Sequence, residues 1–254
     1  MRFTIQLSVD ESLNPVLPIN YQYELASWIY KTIAAGDEQY ASWLHGNGFS
    51  LGSRNFKLFC FSHLNVPKRK VTGDRLHILS PTVSFKLSFL PERSTEEFIK
   101  GVFQNQTLIL GDRLSKVQLR VESIALEPAR ELTSWGVFHT LSPVVVAAAR
   151  LDRTKEYLTP TDCRYGAMLI GNLKQKYKTY YGHDHADTVT PAFELLGQAK
   201  QKGIMIKQSD LNPIKVIGYQ YTFRLSADAA LLKMGYDTGF GEDNSMGFGF
   251  CDIQ

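Results

Sequence analysis

Cysteine is scarce in this 254-residue chain: Cys60, Cys163 and Cys251 are the whole supply, an odd number at wide spacing. That excludes a disulfide framework and leaves no paired metal-ligand motif. Each is expected to be a small core residue. Long apolar runs are missing too, the longest being Val144 to Ala149, far short of the roughly 18 residues that a membrane-spanning helix needs. Charge of a single sign is also absent. The 28 Lys+Arg against 25 Asp+Glu leave +3, too little to argue for a nucleic-acid partner alone. Met1 to Leu7 alternates polar and apolar residues instead of offering the apolar core of a signal peptide, so an intracellular, cytoplasmic protein is expected.

What is present describes a folded protein: 44% hydrophobic and 21% charged residues, in a length that suits one large or two ordinary domains. Residues 2–9 read as a strand. Asn20 to Ala34 reads as a helix, with Leu25, Trp28, Ile29 and Ile33 at helical spacing and Gly36 ending it. A second short helix is expected from Asp37 to about His45, stopped by Gly46 and Gly48. Phe56–Leu64 and Leu76–Leu90 read as strands, the latter interrupted by Pro81. Ser94 and Glu97 form a capping box before Phe98, Val102 and Phe103, predicting a helix start. Strands follow at Thr107–Leu110 and Lys116–Leu126.

That succession of strand, helix, two strands, helix and strand is the ferredoxin-like order. After the connector Glu127 to Arg130 a comparable pattern starts again. It has a strand at Gly136–Leu141, a helix opened by Pro160-Thr161-Asp162, and β-forming segments at 203–208, 214–226 and 246–253. The helix would bury Tyr165, Leu169, Leu173 and Tyr177 on one face, with Gly171 weakening its middle. The expected fold is α+β: two tandem ferredoxin-like (RRM-like) domains, 1–128 and 129–254.

The most specific local signal is Gly239-Phe240-Gly241-Glu242-Asp243-Asn244-Ser245-Met246-Gly247-Phe248-Gly249, two Gly-Phe-Gly triplets five residues apart. Glycine admits positive φ and close backbone approach. Clustered glycines can turn successive N–H groups toward an anion, while the phenylalanines anchor the loop in the core. A tight corner between helix and strand would have the same composition. A Walker A loop or dinucleotide fingerprint is excluded, because a helix would have to follow. Basic residues gather at Lys68-Arg69-Lys70, and Lys174, Lys176 and Lys178 alternate among Tyr177, Tyr180 and Tyr181. Such interleaving suits a phosphate-tracking, base-stacking surface, although a solvated helix face looks alike. His183-Asp184-His185 with Asp187 has metal-ligand residue types but reads as an exposed polar loop, so no metal and no cofactor is expected.

These segments carry a resemblance. The glycine loop resembles the C-terminal signature of the repeat-associated RNA-binding superfamily of CRISPR systems. The chain is similar, more narrowly, to the endoribonucleases that cut precursor CRISPR RNA within each repeat. The likeness runs through Met1-Arg2-Phe3, Asn20-Tyr21-Gln22-Tyr23, Ile29-Tyr30, Trp43-Leu44-His45, Phe56-Lys57-Leu58-Phe59, Thr140-Leu141-Ser142-Pro143 and Leu231 to Tyr236. It implies two ferredoxin-like domains and metal-independent cleavage that leaves a 2′,3′-cyclic phosphate and a 5′-hydroxyl. It also implies a CRISPR interference complex and a homodimer as partners. The alternative is a non-catalytic RNA-binding subunit of a guide-RNA complex.

RNA supplies its own nucleophile in the 2′-hydroxyl, so such an enzyme needs two proton transfers and a positive charge. Histidine, with an ordinary pKa of about 6.5, suits the transfers. His45, at a predicted helix end, is the first candidate; a histidine merely capping that end would look the same. The resemblance implies Tyr30 as an orienting hydroxyl, where the residues alone would suit packing beside Trp28 and Ile29. It implies Lys57 as the charge that steadies the phosphorane, and Arg54 could fill the same place. RNA contacts are expected from Gly239, Gly241, Asn244, Ser245, Gly247, Gly249, Arg54, Lys68, Arg69 and Lys70. His63, His77 and His139 are read as structural.

Overall fold

The computed structural model describes residues 1–10, 12–152, 154–206 and 214–254. The chain begins β1 (Arg2–Val9), β2 (Val16–Pro18), α1 (Gln22–Gly36), α2 (Glu38–Gly46), β3 (Phe49–Leu51), β4 (Arg54–Phe56) and β5 (Phe59–Phe61). It continues through β6 (Arg69–Thr72), β7 (Arg75–Ile78), β8 (Thr82–Phe89), α3 (Glu92–Gln104), β9 (Thr107–Gly111) and β10 (Lys116–Leu126). Then come β11 (Trp135–Thr140), β12 (Ala147–Ala149), β13 (Lys155–Tyr157) and α4 (Tyr165–Tyr181). The last elements are β14 (Ala192–Ile206), β15 (Ile214–Ser226), α5 (Ala229–Thr238) and β16 (Cys251–Ile253).

Two compact units result. The first gathers Met1–Gly46 and His63–Glu127, with Met205, Ile206 and Ile214 at the ends of β14 and β15. The second gathers Asn47–Ser62, Pro128–Ile204 and Lys215–Gln254. The segment carrying Arg54 and Lys57 therefore clusters with the C-terminal residues.

In the first unit β1 is central. Phe3, Ile5, Leu7 and Val9 alternate along it and all are buried, as a strand's period of two requires. Both its edges pair antiparallel, setting Phe3 opposite Leu87 of β8 and Leu126 of β10, and β9 continues from β10. Trp28 of α1 meets Phe98 of α3 edge-on at 5.6 Å and Phe85 of β8 at 6.3 Å. The helices pass so closely that a Cβ on Gly101 would lie 1.8 Å from the Thr32 carbonyl oxygen. Only glycine permits that approach.

The second unit repeats the plan. β11 pairs antiparallel with β15 and β16, placing Phe138 opposite Phe223 and Ile253, and β14 lies outside β15. Phe138 stacks on Phe223 at 5.4 Å and meets Phe240 at 4.9 Å. Tyr165, Leu169 and Leu173 of α4 are fully buried against this cluster. Each such leucine contributes about 1.5–3 kcal/mol of burial. In each unit the first strand lies between the strand before the last helix and the final strand that follows that helix. The fold is α+β with two ferredoxin-like halves.

Several boundaries differ from the sequence reading, each for a tertiary reason. Phe56–Leu64 is not one strand: Leu58 takes a φ of 54° and separates β4 from β5. The capping box does not open α3, which starts after Pro91. Ser94 is buried inside the helix, its hydroxyl 2.6 Å from that of Tyr40. Pro160 to Arg164 form a turn, and α4 starts at Tyr165. Of 246–253 only Cys251–Ile253 is strand. The segment expected at 203–208 is the end of β14, with Lys207 and Gln208 outside the described residues. Cys60 and Cys251 are buried as expected, whereas Cys163 is exposed. Among the described residues no helix is long and apolar enough to cross a membrane.

Candidate functional site

Two groups of candidate residues form, one in each unit. In the first unit Tyr30 projects from α1 and His45 from the last turn of α2. Asp37 makes the corner between the helices: its Oδ1 accepts from the Tyr40 N–H at 2.9 Å and its Oδ2 from Arg93 at 2.6 Å. That corner folds α2 back so that the His45 ring meets the Tyr30 ring edge-on, centroids 4.9 Å apart at 83°. Tyr30 is half-buried and His45 exposed, while Trp28 and Ile29 point into the core. Tyr30 is thus less buried than these two neighbours. A phenol beside an accessible imidazole can orient and protonate, or deprotonate, a bound oxygen.

In the second unit a cleft of about 590 Å³ is lined by Arg54, Lys57, Lys155, Asn172, Lys176 and residues 241–246 of the glycine loop. Lys57 is half-buried, and burial holds its ammonium below the ordinary lysine range. Arg54 is exposed and donates to Gln175 Oε1 at 2.7 Å. Burial also pushes Lys155 down, but Asp243 and Glu242 outweigh it and leave its pKa raised. The ion pairs measure 3.6 and 3.1 Å. Lys57 and Arg54 therefore share one cleft with the loop.

The loop follows α5, with Gly239, Gly241, Gly247 and Gly249 at φ between 73° and 88°. A Cβ at Gly249 would meet the Phe240 carbonyl oxygen at 2.0 Å, and one at Gly241 the Val145 carbonyl oxygen at 2.2 Å. Phe240, Phe248 and Phe250 are fully buried, so the phenylalanines do anchor the loop. Its backbone donors are mostly engaged internally. Phe240 N–H donates to Gly249 O, Glu242 N–H to Val145 O and Gly249 N–H to Pro143 O, each at 2.8 Å. Gly239 N–H donates to Gly235 O and Gly247 N–H to Asn244 O. The expected cradle of glycine N–H groups is therefore narrowed. Gly239, Gly241, Gly247 and Gly249 are buried and shape the loop, and the half-buried stretch 242–246, including Ser245, is what faces the cleft.

Asn244 closes the loop from inside. Its Nδ2 donates to Phe240 O at 3.2 Å and Phe248 O at 3.1 Å, and its Oδ1 accepts from Lys176 at 2.6 Å. Lys176 also donates to Gly239 O at 2.7 Å and Gly241 O at 3.1 Å, with 2% of its surface exposed. The sequence reading missed this role by treating Lys174, Lys176 and Lys178 as one basic row. On a helix, residues two apart point to nearly opposite sides. Lys174 and Lys178 face solvent and pair with Asp187 and Asp184, whereas Lys176 turns inward. The readable signal was that Lys176 continues the apolar stripe of Leu169 and Leu173. Asn172 lies on the same side, and its Oδ1 is buried with no partner among the described residues.

The remaining candidates belong to neither group. Lys68 and β6 residues Arg69 and Lys70 are exposed in the first unit, Arg69 donating to Val66 O at 2.9 Å. His185, Asp187 and Asp228 have ligand atoms within 4.8 Å of one another. Their carboxylates are already bonded to Lys174 and to the Thr188 N–H and hydroxyl. His77 sits in β7, His139 in β11 with its Nδ1 buried, and His63 packs edge-on against Tyr21 at 6.5 Å.

Residues 16–124 match the family described as CRISPR-associated protein Cas6, N-terminal, and residues 127–253 match CRISPR associated protein Cas6, C-terminal. The chain belongs to the Cas6 family. It is 30% identical over 252 residues to CRISPR-associated endoribonuclease Cas6 1 of Methanocaldococcus jannaschii, covering 98% of this chain and 91% of that one. It is 28% identical over 257 residues to CRISPR-associated endoribonuclease Cas6 of Pyrococcus furiosus, covering 100% and 90%. Among solved structures, a Cas6-related protein from Pyrococcus furiosus matches at TM-score 0.85 and 26% identity, over 100% of this chain and 98% of that one. A structure described as an RAMP protein binding different RNA substrates matches at TM-score 0.83 and 26% identity, over 100% and 99%. Both Cas6 likenesses span the two ferredoxin-like halves.

Proposed function

We propose that the protein is a metal-independent endoribonuclease that cuts precursor CRISPR RNA within its repeats. The observation that carries this reading is the edge-on pairing of Tyr30 with the exposed His45, together with relatives named as Cas6 endoribonucleases. Phosphodiester cleavage by the RNA's own 2′-hydroxyl needs no metal-bound water. His45 transfers the proton, Tyr30 orients the 2′-hydroxyl or the phosphate, and Lys57, or Arg54 in its place, steadies the charge on the phosphorane. The 2′ oxygen loses its proton and bonds to phosphorus. The electron pair of the broken P–O bond leaves with the 5′ oxygen, and that oxygen takes up a proton, giving a 2′,3′-cyclic phosphate and a 5′-hydroxyl end.

In this reading residues 1–128 form the domain that carries Tyr30 and His45, and residues 129–254 the domain that carries the glycine loop. RNA lies on Ser245 and the cleft-facing part of the loop, with Arg54 and the Lys68-Arg69-Lys70 cluster as further phosphate contacts. The protein acts in the cytoplasm as a homodimer and hands its product to a CRISPR interference complex. A labelled repeat RNA incubated in EDTA tests the chemistry: one cut is expected, and its loss on chelation would contradict metal independence. A 2′-deoxyribose at the scissile position should abolish cutting and preserve binding; continued cutting would rule out attack by the 2′-hydroxyl.

A further inference from the structure

Lys176 is buried beneath the glycine loop with its nitrogen surrounded by three oxygens, Gly239 O, Gly241 O and Asn244 Oδ1. Asn244 cannot reverse its amide without losing the two carbonyls that its Nδ2 binds. Three acceptors around one nitrogen call for three donors, which an ammonium has and a neutral amine lacks. Among the described residues no carboxylate lies within ion-pair distance of this nitrogen. The nearby titratable groups are the Cys60 and Cys251 thiols, Glu242 and Asp243 (both engaged by Lys155), and the cations Lys155 and Lys57 across the cleft. A buried cation without a counter-ion, lining an open cleft with two further lysines, lacks one ingredient: an anion.

We infer that Lys176 is a positioning residue that sets the glycine loop for an RNA phosphate, and that phosphate binding in this cleft draws a proton onto Lys176. The inference rests on the RNA-binding reading given above. Burial pushes the Lys176 ammonium down to about 7, so at mildly alkaline pH the free protein has lost much of this charge. A phosphate in the cleft restores it by attraction. The third hydrogen bond to the loop then re-forms. Asn172 Oδ1, buried one helical turn away and lining the same cleft, would accept from a hydroxyl or amino group of the same nucleotide.

The test measures binding of a labelled single-stranded RNA of mixed sequence between pH 6 and pH 9. Wild-type affinity should fall by about tenfold or more with rising pH, a change of about 1.4 kcal/mol. In Lys176→Arg, whose guanidinium keeps its charge throughout, that fall should vanish while binding persists. Lys176→Met should bind weakly at every pH. An equal pH response in wild type and both variants would overturn the inference and leave RNA binding intact. Absence of RNA binding at all pH values would instead remove the functional reading beneath it. Calorimetry on the unmodified protein in two buffers of different ionisation enthalpy covers the case in which the variants do not fold. Net proton uptake on RNA binding near pH 8 is expected, and none would overturn the proposal.

Discussion

The two units present their candidate chemistry in opposite ways. The first exposes it: His45 ends a helix at the surface, and Tyr30 is the half-buried residue beside a core-facing Trp28-Ile29 pair. The second buries it. Its glycines, phenylalanines and Lys176 are buried and, with Asn244, hold a backbone shape; of the loop only 242–246 is half-buried, beside Arg54 and Lys57 in the same cleft. The contrast teaches that a motif rich in glycine can be a scaffold rather than the contacting surface. The side chains proposed to act on RNA stay accessible, whereas those that fix the loop are mostly buried.

His45→Ala breaks the contrast most sharply. Single-turnover cleavage of a repeat RNA should drop by about 10²–10⁴-fold, with affinity changed less than about threefold. An unchanged rate would support the alternative, a non-catalytic RNA-binding subunit. Gly249→Ala tests the scaffold in the other unit. The new methyl would meet Phe240 O at 2.0 Å on a backbone with φ of 75°. Destabilisation of about 2–4 kcal/mol in a denaturant titration is expected. Gly171→Ala sharpens the comparison from the opposite side. It lies mid-way along α4 with no atom within 4 Å of its absent Cβ. A gain of about 0.5–1 kcal/mol should follow, read as a higher melting temperature.

Much of the fold was legible because its periodicities are local. The alternation in β1, the helical spacing of Leu25, Trp28, Ile29 and Ile33, and the break at Pro81 all hold in the structure. The misreadings came from contacts between distant residues. Ser94 looked like a cap, but Tyr40, 54 residues away in sequence, takes its hydroxyl. Leu58 looked like mid-strand, and no rule of composition predicts a leucine at φ 54°. The phenylalanine anchors were foreseen because apolar side chains inside a glycine loop have few other places to go. Lys176 was not, since a lysine on an apolar stripe is ordinarily read as surface charge. Its partners are loop carbonyls more than 60 residues downstream.

The Asn244 amide, bridging the carbonyls of Phe240 and Phe248, has a kinetic consequence as well. A loop whose neck is already tied has few conformers left to give up when a ligand arrives. Ordering entropy is spent during folding rather than at the encounter. Association with this surface should therefore proceed as a single-step collision, without a slow rearrangement of the loop, and residence time becomes the quantity through which substitutions here change affinity.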